Sequence, residues 1–417
     1  MFNVFPAMKR FLVFSFYFLV LIACYLLFGL ATSLLPQAPV EEHVKETVDQ
    51  HDLQSDFWFA FLYKSTYYMD NFTDALIVNQ ALTNGRTEQN LWQRTMLVPR
   101  QVSGGEECAN LRLMVNGDQP LQELCYPRYW HGSTFLMRAL LYINDYMALR
   151  TFFYLLSSLL LAWALVLMAR RIGTWAAVVY ALALASVNLF IMQHSIQFFT
   201  TLLLALAGTL WVLYRVREPR QLLPFFLVMG SLTAYFDLLT CPLLTWGIPL
   251  LVWLVSREKV DDGICETHKS SILHSLIWVV GYGATWAAKW LLATVTTSFD
   301  VFADATGQAA LRASVEQFDR WEAMTRNLEQ VPWFYATVAL VVLVVLAVRH
   351  FNRKGWRQAL TCFVVALAPL VWFMALANHS GLHFWFTYRI LAVTILGLLF
   401  AAASLVDWES IKLKSKS

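Results

Sequence analysis

Ten stretches of about 20 predominantly apolar residues recur along this chain of 417 residues. A helix of that length spans the hydrocarbon core of a bilayer. We therefore predict an all-α, polytopic transmembrane helix bundle of about ten spans, forming a single membrane domain over residues 1–417. The predicted spans are 11–35, 151–169, 173–192, 197–214, 221–237, 240–256, 272–294, 332–348, 358–376 and 388–406.

The composition supports a membrane protein and argues against several other classes. Apolar residues make up 58% of the chain and charged residues 14%, whereas soluble domains carry about 25% charged residues. The net charge of +3 is small and scattered, so we expect no nucleic-acid partner. The chain has no Walker A lysine loop and no dinucleotide glycine fingerprint, which argues against an ATP-driven pump or a kinase.

The first apolar stretch allows two interpretations. Lys9 and Arg10 precede it, and 21–24 resembles a lipoprotein cleavage box, as in a secretory signal. The apolar run nevertheless continues through 25–28 for a full bilayer span, and no small-residue cleavage site follows. We predict an uncleaved transmembrane helix.

Basic residues occur in alternate connections between the spans. By the positive-inside rule these connections are cytoplasmic, which places both termini in the cytoplasm. The opposite, non-cytoplasmic face then receives a large loop, 36–150, and a second loop, 295–331; half of the 28 acidic residues lie in the first. The basic groups are Lys9/Arg10, Arg170/Arg171, Arg215/Arg217/Arg220, Arg257/Lys259/Lys269, Arg349/Arg353/Lys354/Arg357 and Lys412/Lys414/Lys416.

The large loop holds two of the six cysteines, Cys108 and Cys125. An oxidising compartment favours a disulfide between them, and we predict one. The alternative is two free thiols.

The large loop also contains two predicted helices. The apolar spacing after Asp70 is helical, with Asp70 or Asn71 as the cap and Asp74 one turn inside. The stretch 126–132 opens a second helix, which runs to Asp145. Their aromatic content predicts that both lie along the bilayer surface. The structural alternative for Asp70 is that it only caps this helix and has no chemical role.

Ionisable residues inside or beside the apolar spans are the next candidates, because charge at membrane depth is costly and is commonly functional. Lys289 lies between two tryptophans, and Asp237 ends the fifth span. His379, His383 and Arg389 cluster at the last turn, where a helix start and a guanidinium suit a phosphate. Structural alternatives are a snorkelling Lys289 and an Arg389 that pairs with a lipid head group or with Asp237.

Arg128 and His131 complete the candidate binding residues. They lie in the stretch 126–132, which opens the second predicted helix of the large loop. An interfacial anchor belt, formed together with Trp130, explains the same residues without any ligand.

The layout resembles the GT-C superfamily of membrane glycosyltransferases: one span, a long outer loop with surface helices and an early aspartate, then short-looped spans. The stretch 70–74 stands where that superfamily has its acidic motif, although the usual adjacent acidic pair is absent, which leaves the identity of the base open. The stretches 236–242, 281–290 and 378–389 resemble uncharacterised bacterial multi-pass proteins of GT-C-like organisation.

The resemblance implies an enzyme of the bacterial plasma membrane that transfers a sugar from a polyprenyl-phosphate donor, a membrane lipid, to a glycan, lipid or protein acceptor. Asp70, or else Asp74, would deprotonate the acceptor hydroxyl. Arg389, Lys289 and His383 would stabilise the departing phosphate. Some relatives use a divalent metal ion and others do not, and two carboxylates do not decide between these cases.

Two other classes of function remain open. A multi-pass transporter or flippase of a lipid-linked or small solute would favour matched broken helices in two halves of the chain, and we find no such symmetry in the sequence. A non-catalytic scaffold, or an inactive transferase homologue, is the third interpretation.

Overall fold

The structure is a computed structural model that describes residues 4–49, 53, 55–59, 68–117, 121–215, 222–257 and 264–414. Arg217, Arg220, Lys259 and Lys416, which contribute to the predicted charge pattern, lie outside the described residues.

The described chain is nearly all helical, as predicted. Helices α1–α8 are Val4–Ser33, Gln37–Asp49, Asn71–Thr83, Leu91–Leu97, Glu107–Asn116, Gly132–Leu141, Tyr146–Arg171 and Thr174–Ala185. Helices α9–α15 are Leu189–His194, Ile196–Arg215, Leu222–Phe236, Leu243–Arg257, Ile264–Thr296, Val301–Ala313 and Arg320–Leu328. Helices α16–α22 are Trp333–Arg349, Trp356–Ala366, Ala368–Ala375, Ala377–Leu382, Phe384–Thr387, Leu391–Ser404 and Trp408–Lys414.

Within the described residues, six helical segments are long and apolar enough to cross a membrane, so the chain is a membrane protein. A seventh is added if α15 and α16, which meet at an 84° bend, count as one span. Three further predicted spans coincide with α8, α11 and α12, which are apolar but shorter. The six segments are Leu12–Ser33, Tyr146–Arg171, Ile196–Arg215, Lys269–Thr296, Arg353–Ala375 and Phe384–Ser404.

Small residues allow the closest helix packing in the bundle. A Cβ on Gly230 of α11 would lie 2.1 Å from the carbonyl oxygen of Trp278, and one on Gly281 of α13 would lie 2.2 Å from that of Leu227. Glycine at both positions therefore lets the two backbones approach directly, as is common between membrane helices.

The segment between α1 and α7 folds into a unit of helices α2–α6 with two small antiparallel sheets. Strand β1 (Phe57–Phe59) pairs with β2 (Tyr68–Asp70), and β3 (Pro99–Val102) pairs with β4 (Gln122–Cys125). The strands were not predicted from the sequence, because runs of three or four residues carry too little periodicity to be recognised.

Helix α3 begins where the sequence predicts, but it does not lie on a surface. All of its residues except Phe72 are buried. Its polar residues find internal partners instead of water: the Asn79 amide exchanges two hydrogen bonds with the backbone of Gln101, and Gln80 accepts one from Thr134. A buried polar residue with a partner cannot be distinguished from a surface residue by sequence pattern alone.

The buried side chain of Arg138 holds this unit to the end of α1. Its guanidinium donates to the carbonyl oxygens of Thr32, Leu35 and Ala81 and to Oε1 of Gln37, over 2.7–3.0 Å. One cation therefore fixes α1, α2, α3 and α6 together.

Candidate functional site

A cavity of about 650 Å³ lies between the unit of α2–α6 and the last third of the chain. Its lining comes from the residues around β1 and the start of α3, the loop before α5, the side chains of Tyr126 and Tyr129, and the start of α10. The turn after α11, the end of α14 and four side chains near the last span complete it: His379, His383, Trp385 and Phe386. Its volume is that of a small-molecule site, about 300–1,000 Å³. We call it the cavity.

Asp70 lines the cavity at the start of α3. It caps the helix, because Oδ1 accepts from the backbone N–H of Thr73 at 3.2 Å, as predicted. Its Oδ2 accepts from the indole N–H of Trp385 at 3.3 Å. Burial raises the pKa of Asp70 to about 6, while these two hydrogen bonds and the charge of Arg389 act in the opposite direction.

Asp74 lies one turn further along α3, and it is not among the residues that line the cavity. It accepts hydrogen bonds from the hydroxyl of Tyr146, from Ser195 Oγ at 2.8 Å and from the backbone N–H of Gln197 at 3.2 Å. A guanidinium nitrogen of Arg150 lies 3.7 Å from Oδ2. Burial raises the pKa of Asp74, and these four groups oppose that effect. We call this set of residues the Asp74 network.

The two histidines predicted near the last turn do line the cavity. His379 is hydrogen-bonded through Nε2 to the carbonyl oxygen of Leu239 at 3.0 Å, and its ring centroid is 5.0 Å from that of His383. Burial lowers the pKa of His383 to about 4 and that of His379 well below its usual value, and Arg312 adds to both shifts. Both rings are therefore neutral at pH 7 and supply polarity without charge.

Arg389 lies behind the cavity surface, in a 3-10 turn that precedes α21. It is 1% exposed, and its Nη1 donates to the carbonyl oxygen of Trp385 at 2.7 Å. Its guanidinium covers the ring of Phe198 at 4.3 Å. Because Trp385 also donates to Asp70, Arg389 supports the tryptophan and acts on Asp70 through its charge.

The cavity contains a cation that the sequence did not single out, Arg312 at the end of α14. Its Nη2 donates to the hydroxyl of Tyr129 at 3.2 Å, and the guanidinium lies 6.0 Å from the centroid of that ring. Arg312 was missed because it lies in a polar loop among several other charged residues, and only the chain fold brings it to the cavity that Asp70 also lines.

Lys289 and His131 belong to a neighbouring cluster outside the cavity lining. The buried ammonium of Lys289 donates to the carbonyl oxygen of Met96 at 2.6 Å and lies over the ring of Trp130. His131 is bonded through Nε2 to the carbonyl oxygen of Tyr126 at 2.6 Å, and burial, with Lys289 nearby, lowers its pKa to about 3. Both contacts are structural.

Arg128 and Asp237 are also outside the lining, and each has a local partner. Arg128 lies 3.5 Å from Oδ1 of Asp304 in α14 and stacks on Tyr126. Asp237 accepts from the backbone N–H and the hydroxyl of Thr240, which fixes the tight turn after α11. The alternative in which Asp237 pairs with Arg389 is not observed.

The predicted disulfide is wrong for this structure: Cys108 and Cys125 are both free. Cys108 is buried at the start of α5, where its Sγ contacts the carbonyl oxygen of Asn71. Cys125 ends β4 and accepts from Gln89 Nε2 at 3.5 Å. Cys108 lies in α5, which packs on α3, whereas Cys125 ends β4, which pairs with β3. The two thiols therefore have different neighbours.

The described part of the chain holds no group of three His, Cys, Asp or Glu side chains placed to bind a metal ion. Asp70 and Asp74 do not converge on a common point, because the oxygens of Asp74 are engaged by its network. Asp70 and Asp74 therefore do not form a divalent-ion site with the described residues.

Comparison of the chain with protein-family models, curated proteins and solved structures gives no match in any of the three. The functional interpretation therefore depends on the geometry of the cavity.

Proposed function

We propose that the protein is a membrane glycosyltransferase of GT-C-like organisation. It transfers a sugar from a polyprenyl phosphate to a hydroxyl group of a glycan, lipid or protein acceptor. The observation that carries this proposal is the cavity itself, because a buried carboxylate with a pKa of about 6 and an arginine both line it, beside helices that can cross a membrane. Such a carboxylate is largely ionised at neutral pH and is basic enough to accept a proton.

In the proposed reaction, the Asp70 carboxylate takes the proton of the acceptor hydroxyl. The hydroxyl oxygen forms a bond to the anomeric carbon of the sugar, and the bond between that carbon and the phosphate oxygen breaks. The electron pair stays on the phosphate, which leaves as polyprenyl phosphate, and Arg312 stabilises its added negative charge. We assign the base to Asp70 rather than Asp74, because Asp74 has a full set of donors and is not among the residues that line the cavity.

The residue that contacts the phosphate in this proposal differs from those expected from the sequence. Arg312 lines the cavity, whereas Arg389 and Lys289 do not. Arg389 then has an indirect part: its charge favours the ionised form of Asp70, and its hydrogen bond fixes Trp385. Arg389 is a positioning residue in this proposal.

The charge pattern supports a location for the reaction. We place the cavity at the non-cytoplasmic side of the bacterial plasma membrane with both termini cytoplasmic, because the acidic first loop supplies Asp70 and the basic connections are elsewhere.

The direct test is transfer by the purified protein in liposomes, with labelled undecaprenyl-phosphate sugars and a hydroxyl acceptor extracted from the cell envelope. Arg312→Gln should lower kcat/KM about a hundredfold, because it removes a charged donor at the developing phosphate. Arg320→Gln is the matched control: Arg320 is exposed, contacts the Met374 carbonyl oxygen and is away from the cavity.

Two results would count against the proposal. If the labelled lipid crosses the bilayer without release of undecaprenyl phosphate, the protein is a flippase. If Arg312→Gln and Arg320→Gln transfer equally well, Arg312 does not bind the phosphate. Lipid extracts of a deletion strain give an independent check. If the transferase is lost, polyprenyl phosphate that carries the sugar should accumulate in the extract.

A further inference from the structure

Two polar atoms at the cavity have no hydrogen-bond partner among the described residues: Oε1 of Gln197 and Nδ1 of His383. Gln197 is 3% exposed, and its backbone N–H is held by Asp74 at 3.2 Å, so the start of α10 is fixed in place. Buried amide and imidazole groups are almost always hydrogen-bonded in folded proteins. An unpartnered pair on one cavity therefore points to a ligand that supplies the missing groups.

The chemistry of these two residues suits hydroxyl groups. The His383 ring stacks on Phe386, with centroids 5.0 Å apart and planes inclined by 19°, so its orientation is set by packing. Its pKa of about 4 keeps it neutral at pH 7. A neutral imidazole and a carboxamide can each donate to or accept from a hydroxyl, and neither adds the charge that a phosphate needs.

Aromatic rings line the same cavity. Phe57 and Trp385 meet edge to face with centroids 5.6 Å apart, and Tyr126 is a third ring of the lining. A sugar ring has apolar C–H faces and hydroxyl groups around its edge. Aromatic faces together with a few fixed polar groups are the surroundings that such a ring requires.

The charges of the cavity limit which sugar can enter. Asp56, Asp70 and Glu106 line it, against a single described arginine, Arg312. Asp56 is itself fixed, since its two oxygens accept the backbone N–H groups of Glu107 and Cys108 at 3.1 and 2.8 Å. An acidic sugar would bring a fourth carboxylate into this space, and the repulsion between like charges in a partly buried site weakens its binding.

We propose that Gln197, His383 and Trp385 form a glycosyl subsite that binds the head group of a neutral sugar and rejects a uronic acid. This inference rests on the proposed function and deepens it, because it names the class of sugar and the residues that select it.

The test is calorimetric titration of the purified, detergent-solubilised protein with farnesyl phosphate, bare or carrying glucose, mannose, N-acetylglucosamine or glucuronic acid. Of the probes that carry a neutral sugar, the one that binds most tightly should bind roughly tenfold better than bare farnesyl phosphate. The probe that carries glucuronic acid should bind at least about tenfold worse than the one that carries glucose. Gln197→Met and His383→Phe should each reduce the advantage of the neutral head about three- to tenfold, and leave bare farnesyl phosphate unchanged. The two variants are independent, so one that fails to fold leaves the other to decide.

Gln193→Met is the matched control. Gln193 is also a buried glutamine, but its amide donates to Ser157 and Ser158, and it does not line the cavity. It should keep the wild-type ratio of neutral to bare probe.

The outcomes separate the subsite from the proposed function. If bare farnesyl phosphate binds in an Arg312-dependent way, but no neutral head binds more tightly or both variants keep the wild-type ratio, the subsite is wrong and the proposed function stands. Equal binding of glucose and glucuronic acid probes would also overturn it. If no probe binds to the wild-type protein, both proposals fail.

Discussion

Asp70 and Asp74 occupy the same helix one turn apart, and both are almost completely removed from water. They differ in what surrounds them. Asp74 is held by Tyr146, Ser195, the Gln197 backbone and Arg150, whereas Asp70 has the backbone N–H of Thr73 and the indole N–H of Trp385 and lines the cavity.

This difference in surroundings distinguishes a carboxylate with a structural role from one that is suited to catalysis. A buried carboxylate with a full set of donors and a cation stabilises a helix junction as long as all of its partners are present. One with few donors beside an open space leaves room for a substrate to reach its oxygens. Burial alone does not identify a catalytic residue; the number of donors and the access to a cavity do.

The largest expected effect is that of Asp70→Asn on transfer. Asparagine keeps the shape and can still accept from Thr73, but it cannot take a proton, so the rate should fall about 10²- to 10⁴-fold. Because Asp70 is ionised at neutral pH only against the cost of burial, the variant should melt at a temperature no lower than that of the wild type. A transfer assay and a thermal unfolding curve on the same preparation measure both. Retention of full activity would end the assignment.

Asp74→Asn should act on stability instead. It leaves the charge of Arg150 buried without its carboxylate, and breaking one side of a buried pair costs about 3–5 kcal/mol. Unfolding in a detergent of fixed composition should show a lower melting temperature. The double variant Asp74→Asn/Arg150→Met should recover part of the loss, since the two residues are in contact. A stable, inactive Asp74→Asn protein would instead make Asp74 the base.

The pH dependence of transfer gives a third distinction. The folded pKa of Asp70, about 6, lies above the ordinary value of 3.8, and the base works only when deprotonated. Activity should therefore rise with pH, from about a tenth of its maximum at pH 5 to about nine tenths at pH 7. The stability of the folded state should fall as the pH rises from about 3.8 to about 6, because the pKa of Asp70 is raised on folding and the folded state binds its proton more tightly. A flat profile of kcat/KM from pH 5 to 7 would contradict the assignment.

The smallest expected effect is that of Trp385→Phe. Phenylalanine removes the indole N–H that lowers the pKa of Asp70. The rise of kcat/KM on the acidic side of the pH profile should therefore move to higher pH by a fraction of a unit. Trp321→Phe is the control, because Trp321 is 67% exposed. If kcat/KM of the variant rises at the same pH as that of the wild type, the hydrogen bond does not act on Asp70.

Part of the site was predictable from the sequence. Helical spacing and capping chemistry identified Asp70 as the start of a helix, because both are local properties. The turn that carries His379 and His383 was singled out by the density of polar residues beside apolar spans. Arg312, Gln197 and Arg150 could not be identified in this way, since each looks like an ordinary residue of a loop or helix end until distant segments are brought together.

The sequence by itself determined that this chain is a helical membrane protein, because the lengths of apolar runs are set by the thickness of the bilayer. Only the tertiary structure decided which charged groups meet. It joined Asp70 to Trp385 across 315 positions of sequence and left Lys289 in a separate cluster. It also left Cys108 and Cys125 unpaired. Such contacts depend on how helices pack, and helix packing is a property of whole surfaces rather than of short stretches of sequence.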